Sequence, residues 1–120
     1  MDLKAKIIHG WDISAKGYSE NVVQDDFVEP GKSIWTNLIL EKAPRAGALK
    51  ILDVGTGPGV FATNLSLAGH EVTAIDFSAA MLKEARKNSA QYGANPDYLL
   101  MDSENLTFPE NTFDMIVARN

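Results

Sequence analysis

A parallel α/β sheet is the fold class this sequence predicts, and three observations predict it. Short apolar segments alternate with amphipathic ones from residue 48 onward. The first apolar segment runs into a glycine-rich turn, VGTGPG at residues 54–59, and the next two end on Asp76 and Asp102. Strands alternating with helices of this length imply βαβ crossovers and parallel pairing.

Residues 1–45 read as an N-terminal helical cap and residues 46–120 as the α/β unit. In the cap, residues 2–12 read as one short helix and Ser14 as the cap of a second turn or two. The segment GKSIWTNLILEKA places Ile34, Trp35, Leu38 and Ile39 on one helical stripe, ended by Pro44 and Gly47. Gly10, Gly17, Pro30 and Gly31 keep these helices short.

In the second unit LKILDV, residues 49–54, is a buried strand. VFATNLSLA is a helix closed by Gly69, and HEVTAID a second strand. Ser78 caps a helix over AAMLKEARKNSAQY, with Met81, Leu82, Ala85 and Ser89 on one face and Gly93 at its end. DYLLMD is the third strand, SENLTFPENT a loop, and FDMIVAR the fourth strand.

Composition narrows the partner. The formal charge is −5 and Lys and Arg are scattered, so the basic footprint of a nucleic-acid binder is missing. No apolar run approaches the roughly 18 residues of a membrane span, and the N-terminus lacks a secretory core, so a cytoplasmic location is expected. There is no cysteine, and His9 and His70 stand apart without ligand spacing, so no metal site is expected. A small molecule is the expected partner.

In open α/β sheets ligands sit at the carboxyl ends of the strands. Three turns fall there: Gly55–Gly59, Asp76–Ser78 and Asp102–Glu104. Glycine lets a ligand approach the backbone, and amides at the following helix N-terminus favour an anionic group, although Pro58 removes one donor. Asp76 lies twenty-one positions after Gly55, where a carboxylate can accept both hydroxyl protons of a ribose. The dinucleotide fingerprint wants its third glycine at position 60, which is Val60, and no Gly-Lys-Ser or Gly-Lys-Thr completes a phosphate loop.

These residues carry a resemblance. LDVGTGPG is similar to the first motif of class I S-adenosylmethionine-dependent methyltransferases, and AIDFSAAML to the second. LLMDSENLTFPENTFDMIVARN resembles the third and fourth, in the form found in the type 11 and ubiquinone-biosynthesis group. The resemblance covers residues 48–120, and WDISAKGYS is similar to the helix that precedes the domain. It implies a Rossmann-like sheet with its first four strands in the order 3-2-1-4, S-adenosylmethionine as cofactor and methyl transfer to a small-molecule acceptor.

Carried over by position, the resemblance implies that Gly55 and Gly57 contact the methionine part of the cofactor, with Thr56 and Gly59 also among the cofactor-binding residues. Asp53 would lie near its amino group and Asp76 would hold the ribose hydroxyls. Phe77 and Met81 would flank the adenine, Asp102 would accept its amine, and the Ser103 amide would donate to the ring. Arg119 and Asn120 would lie below the methionine, and Tyr18 would close over its carboxylate. No catalytic residue is assigned.

The family's sheet continues with strands 5, 7 and 6, which this sequence does not contain, so it reads as the N-terminal half of such a domain. Its fourth strand is then an apolar edge, and self-association through residues 113–118 is expected. A non-catalytic cofactor-binding module and a fragment of an NAD(P)-dependent oxidoreductase are the alternatives.

Overall fold

The computed structural model describes residues 7–9, as backbone, and 25–118. In chain order the elements are β1 (Ile7–His9), α1 (Gly31–Leu40), β2 (Lys50–Val54), α2 (Val60–Leu67), β3 (Glu71–Asp76), α3 (Ala79–Tyr92), β4 (Asp97–Leu100) and β5 (Met115–Ala118). They form one sheet in the order β1-β5-β2-β3-β4 with every pair parallel. The order β4-β3-β2-β5 is the expected 3-2-1-4.

The strands alternate their side chains between two apolar layers, as period-2 geometry requires. Ile51, Val72, Ala74, Met115 and Val117 join Val60, Phe61 and Leu65 of α2 and Leu82 and Ala85 of α3 in one layer. Leu52, Val54, Ile75, Ile116 and Ala118 pack on the other face with Phe113, against Met101, Leu106 and Phe108 of the loop before β5. Both faces of the central strands are therefore buried, which explains their nearly unbroken apolar runs.

Local chemistry sets the ends of α3. The Ser78 hydroxyl accepts the Met81 N–H at 3.3 Å, and Gly93 closes the helix at φ 74°, a left-handed conformation that glycine adopts without a Cβ clash. The segment from Asp25 to Leu40 docks onto α2 and α3. Trp35 donates to the Asp26 carboxylate at 3.1 Å and packs on Phe61, the Asp26 carbonyl takes an N–H of Asn64 at 3.0 Å, and Phe27 stacks on Tyr92.

Three expectations change. Within the segment expected to be helical, Ile7–His9 are a strand, paired Ile7 to Ile116 and His9 to Ala118. Two successive β-branched residues favour extended backbone, and the unpaired edge of β5 supplies their hydrogen bonds. That edge is consequently occupied within the chain, so the open edge expected to drive self-association is already paired. The α1 stripe also divides: Ile39 is buried and Trp35 half-buried, but Ile34 and Leu38 are 55% and 41% exposed. The helix meets its neighbours along the Trp35–Ile39 line, and it ends at Leu40, ahead of Pro44 and Gly47.

Candidate functional site

β2 delivers the chain to the carboxyl edge of the sheet, where Gly55, Gly57 and Gly59 all take positive φ, at 71°, 56° and 81°. Side chains rarely adopt that conformation, so the alternating glycines are what allow the chain to coil tightly enough to enter α2. The turn's own amides are consumed inside it. Gly55 and Thr56 donate to the Ile75 carbonyl at 3.0 and 2.9 Å, and Gly59 donates to Thr56 at 3.0 Å. The N–H of Gly57 goes to Asp76 Oδ2 at 2.9 Å. With Pro58 lacking an N–H, residues 55–59 offer no spare donor nest for a phosphate.

Asp76 ends β3 and is only 7% exposed. Its second oxygen accepts the Ser78 N–H at 2.9 Å, so the carboxylate ties the glycine turn to the start of α3. A carboxylate offers about four lone-pair directions, and these two bonds leave capacity for further donors. Phe77 follows and is 83% exposed, and Leu100, in register with Asp76, is 62% exposed. Met81 is half-buried, its methyl 3.6 Å from where a Cβ on Gly57 would stand. Acceptor capacity, a bare backbone and apolar surface thus converge at one place.

Asp53 lies one layer down. It is fully buried, and the equally buried Thr56 donates its hydroxyl to Asp53 Oδ2 at 2.7 Å. The Asp102 turn follows β4 on the same edge, joined to β3 by the Met101 N–H on the Asp76 carbonyl at 3.0 Å. Asp102 and Ser103 are exposed there, and Asp102 Oδ1 accepts the Glu104 N–H at 2.9 Å.

Of the residues named from sequence, the structure brings Asp53, Gly55, Thr56, Gly57, Asp76 and Met81 together, with Phe77 at the rim. Gly59 faces the other way. A Cβ there would stand 2.6 Å from the Tyr98 hydroxyl and 2.9 Å from Ala85 Cβ, so its bareness serves the packing of α3 and β4. Tyr18, Arg119 and Asn120 lie outside the described residues.

Sequence reasoning missed two residues. Leu100 reads as an ordinary strand residue, although its place at the strand's end opposite Asp76 is the signal. Asn88 is not singled out by the sequence, yet it is 5% exposed and donates to the Pro58 carbonyl at 2.9 Å. Its position three residues after Ala85 could have placed it on the inner face.

Among the described residues no group of three or more metal-ligating side chains occurs, and no helix is long and apolar enough to cross a membrane.

Residues 51–120 match the family model described as "Methyltransferase domain". The chain is 42% identical over 76 residues to a malonyl-(acyl-carrier protein) O-methyltransferase of Erwinia pyrifoliae, covering 63% of this chain and 28% of that protein. It is 37% identical over 84 residues to a ubiquinone/menaquinone biosynthesis C-methyltransferase of Desulfotalea psychrophila, covering 68% and 33%. A putative S-adenosyl-L-methionine-dependent methyltransferase of Methanococcus maripaludis superposes with a TM-score of 0.70 at 28% identity, covering 87% of this chain and 49% of that one. The chain spans about a third of the length of these curated relatives.

Proposed function

The chain belongs to the methyltransferase domain family, and from that premise we propose that it binds S-adenosylmethionine at the carboxyl edge of its sheet. The proposed activity, with the remainder of such a domain, is methyl transfer to a small-molecule acceptor. The observation that carries the reading is Asp76: a nearly buried carboxylate with acceptor capacity unused among the described residues, set between a bare Gly57 backbone and exposed apolar side chains.

The residues present fit the cofactor by their chemistry. A vicinal diol supplies the two donors that Asp76 can still accept. Phe77, Met81 and Leu100 offer apolar surface for a flat heterocycle, with Asp102 and the Ser103 amide as polar readers beside it. Asp53, buried beneath the turn, accepts the Thr56 hydroxyl and so helps to fix the turn that would carry the amino-acid tail.

When bound, S-adenosylmethionine supplies a methyl group on a sulfonium, which is already an activated leaving group. The chain's residues then need mainly to align that centre, since alignment is worth much of a displacement barrier. The turn fixes where the tail lies and Asp76 fixes rotation about the ribose. No described residue is assigned a proton-transfer role.

Because the chain spans about a third of its curated relatives, a second reading has specific support: cofactor binding without turnover by this polypeptide alone. A second copy could pair along residues 113–118 only by displacing Ile7–His9.

Calorimetry with S-adenosylhomocysteine and with NADH tests the proposal. Saturable binding of S-adenosylhomocysteine with none of NADH is expected. Tighter binding of NADH would overturn it in favour of an oxidoreductase fragment, and binding of neither would remove the cofactor role.

A further inference from the structure

α3 grips the glycine turn at a point that the cofactor reading does not use. The Pro58 carbonyl is that residue's one polar backbone group, since proline has no N–H. Its partner is the Nδ2 of Asn88, 2.9 Å away. Asn88 sits mid-helix and nearly sealed from solvent. An asparagine there is a poorer helix former than leucine or alanine, and burying its amide is unfavourable unless it is bonded.

The opposite side of the same peptide is held by packing. Gly59 lies directly on Ala85 and on the Tyr98 hydroxyl, close enough that a Cβ would clash with both. Tyr98 cannot yield easily, because its hydroxyl pairs with Ser89 Oγ at 2.6 Å, and Ser89 in turn with Thr63 Oγ1 at 2.8 Å. Burial pushes the Tyr98 phenol above its ordinary pKa, so it stays a neutral hydroxyl within this chain of three. Pro58–Gly59 is therefore caught between a hydrogen bond and a wall, while Gly57 is held at the other end by Asp76.

We propose that Asn88 is a positioning residue for the cofactor turn. By holding the Pro58 carbonyl it keeps Gly57 and Gly59 in their left-handed conformations, and so fixes the backbone surface on which the amino-acid half of the cofactor lies. Asp76 positions the ribose half independently. The inference rests on the reading that this turn binds S-adenosylmethionine.

The test uses Asn88→Ala, which removes the donor and is a good helix former, and Asn88→Leu, which keeps the bulk without a donor. In the unliganded protein, exchange of the Gly57 and Gly59 amides should accelerate about tenfold in either variant, as expected for one lost hydrogen bond, while the β2 amides stay unchanged. With ligand, affinity for S-adenosylhomocysteine should fall about tenfold, while affinity for 5′-methylthioadenosine, which lacks the amino-acid half, changes less than twofold. A merely structural asparagine would weaken both ligands alike and loosen β2 with the turn. Equal loss for the two ligands, or unchanged exchange at Gly57 and Gly59, overturns the proposal. If the unaltered protein binds neither ligand, the cofactor reading itself fails, and the exchange rates alone then decide whether Asn88 clamps the turn.

Discussion

The two edges of the sheet each hold an aspartate bonded to backbone N–H, and they use it differently. At the amino edge Asp114 Oδ2 accepts the Lys50 N–H at 2.8 Å and also meets the Arg45 guanidinium at 3.0 Å. At the carboxyl edge Asp76 accepts the N–H groups of Gly57 and Ser78, and among the described residues no lysine or arginine pairs with it. The amino edge also has a cavity of about 440 Å³ lined by Arg45, Lys50, Glu71 and Asp114 among others. Two cations and two anions there leave a ligand no net sign to recognise. At the carboxyl edge the two backbone bonds leave Asp76 lone-pair capacity for further donors, and that capacity is what the proposed site rests on.

A pair of glycines breaks this comparison most sharply if it is wrong. Gly59 and Gly69 both have positive φ, at 81° and 99°, but a Cβ on Gly59 meets Tyr98 and Ala85 below 3 Å, whereas one on Gly69 meets nothing within 4 Å. Gly59→Ala should therefore cost about 3 kcal/mol, combining left-handed strain with overpacking. Gly69→Ala should cost about 1 kcal/mol, from backbone strain alone. Urea unfolding of both variants measures the difference. Equal losses would mean that α3 moves away freely and that the turn is not clamped.

The same contrast explains what the sequence could reveal. Helix α3 is legible from Ser78 to Gly93 because its cap, apolar period and terminating glycine are all local signals. The place of Asp76 at the end of β3 is legible because the second apolar run stops on it, but its bonds to the Gly57 and Ser78 amides are not. Ile7–His9 is not, since three residues carry no period and their partner lies over a hundred positions away. The internal use of the Gly55, Thr56 and Gly57 amides is likewise invisible, because it depends on where Ile75 and Asp76 fall in register. Asn88 hides for a related reason: its partner, the Pro58 carbonyl, lies thirty positions away and meets it only once the helix is docked.

Exchanging the two aspartates for alanine sharpens the comparison next. Asp76→Ala removes the proposed acceptor of the ribose hydroxyls and frees the Gly57 amide, so affinity for S-adenosylhomocysteine should fall roughly a hundredfold. Asp114→Ala loses one backbone bond and one partly exposed ion pair, for about 1 kcal/mol of stability and less than about a twofold change in affinity. Calorimetry reads the first effect and denaturant titration the second. Loss of binding in Asp114→Ala would show that ligand engages the amino edge.

The smallest effect is a pH dependence confined to the amino edge. His70 Nδ1 accepts the Leu49 N–H at 3.1 Å, and burial lowers the pKa of the ring below its ordinary 6.5. Protonated imidazole carries a proton on both nitrogens and cannot accept that bond. The unfolded chain therefore takes up the proton first. The stabilisation is fully present above about pH 6.5 and is lost as pH falls through the lower folded value. Melting temperature should decline gently over that window, and His70→Gln, which keeps an acceptor without titrating near neutral pH, should flatten the decline. Affinity for S-adenosylhomocysteine should not follow the same curve, because the ring acts at the opposite end of β3 from Asp76. Were affinity to fall in step with stability, the two edges would be coupled through the strand, and a site defined by Asp76 and the glycine turn alone would be too small.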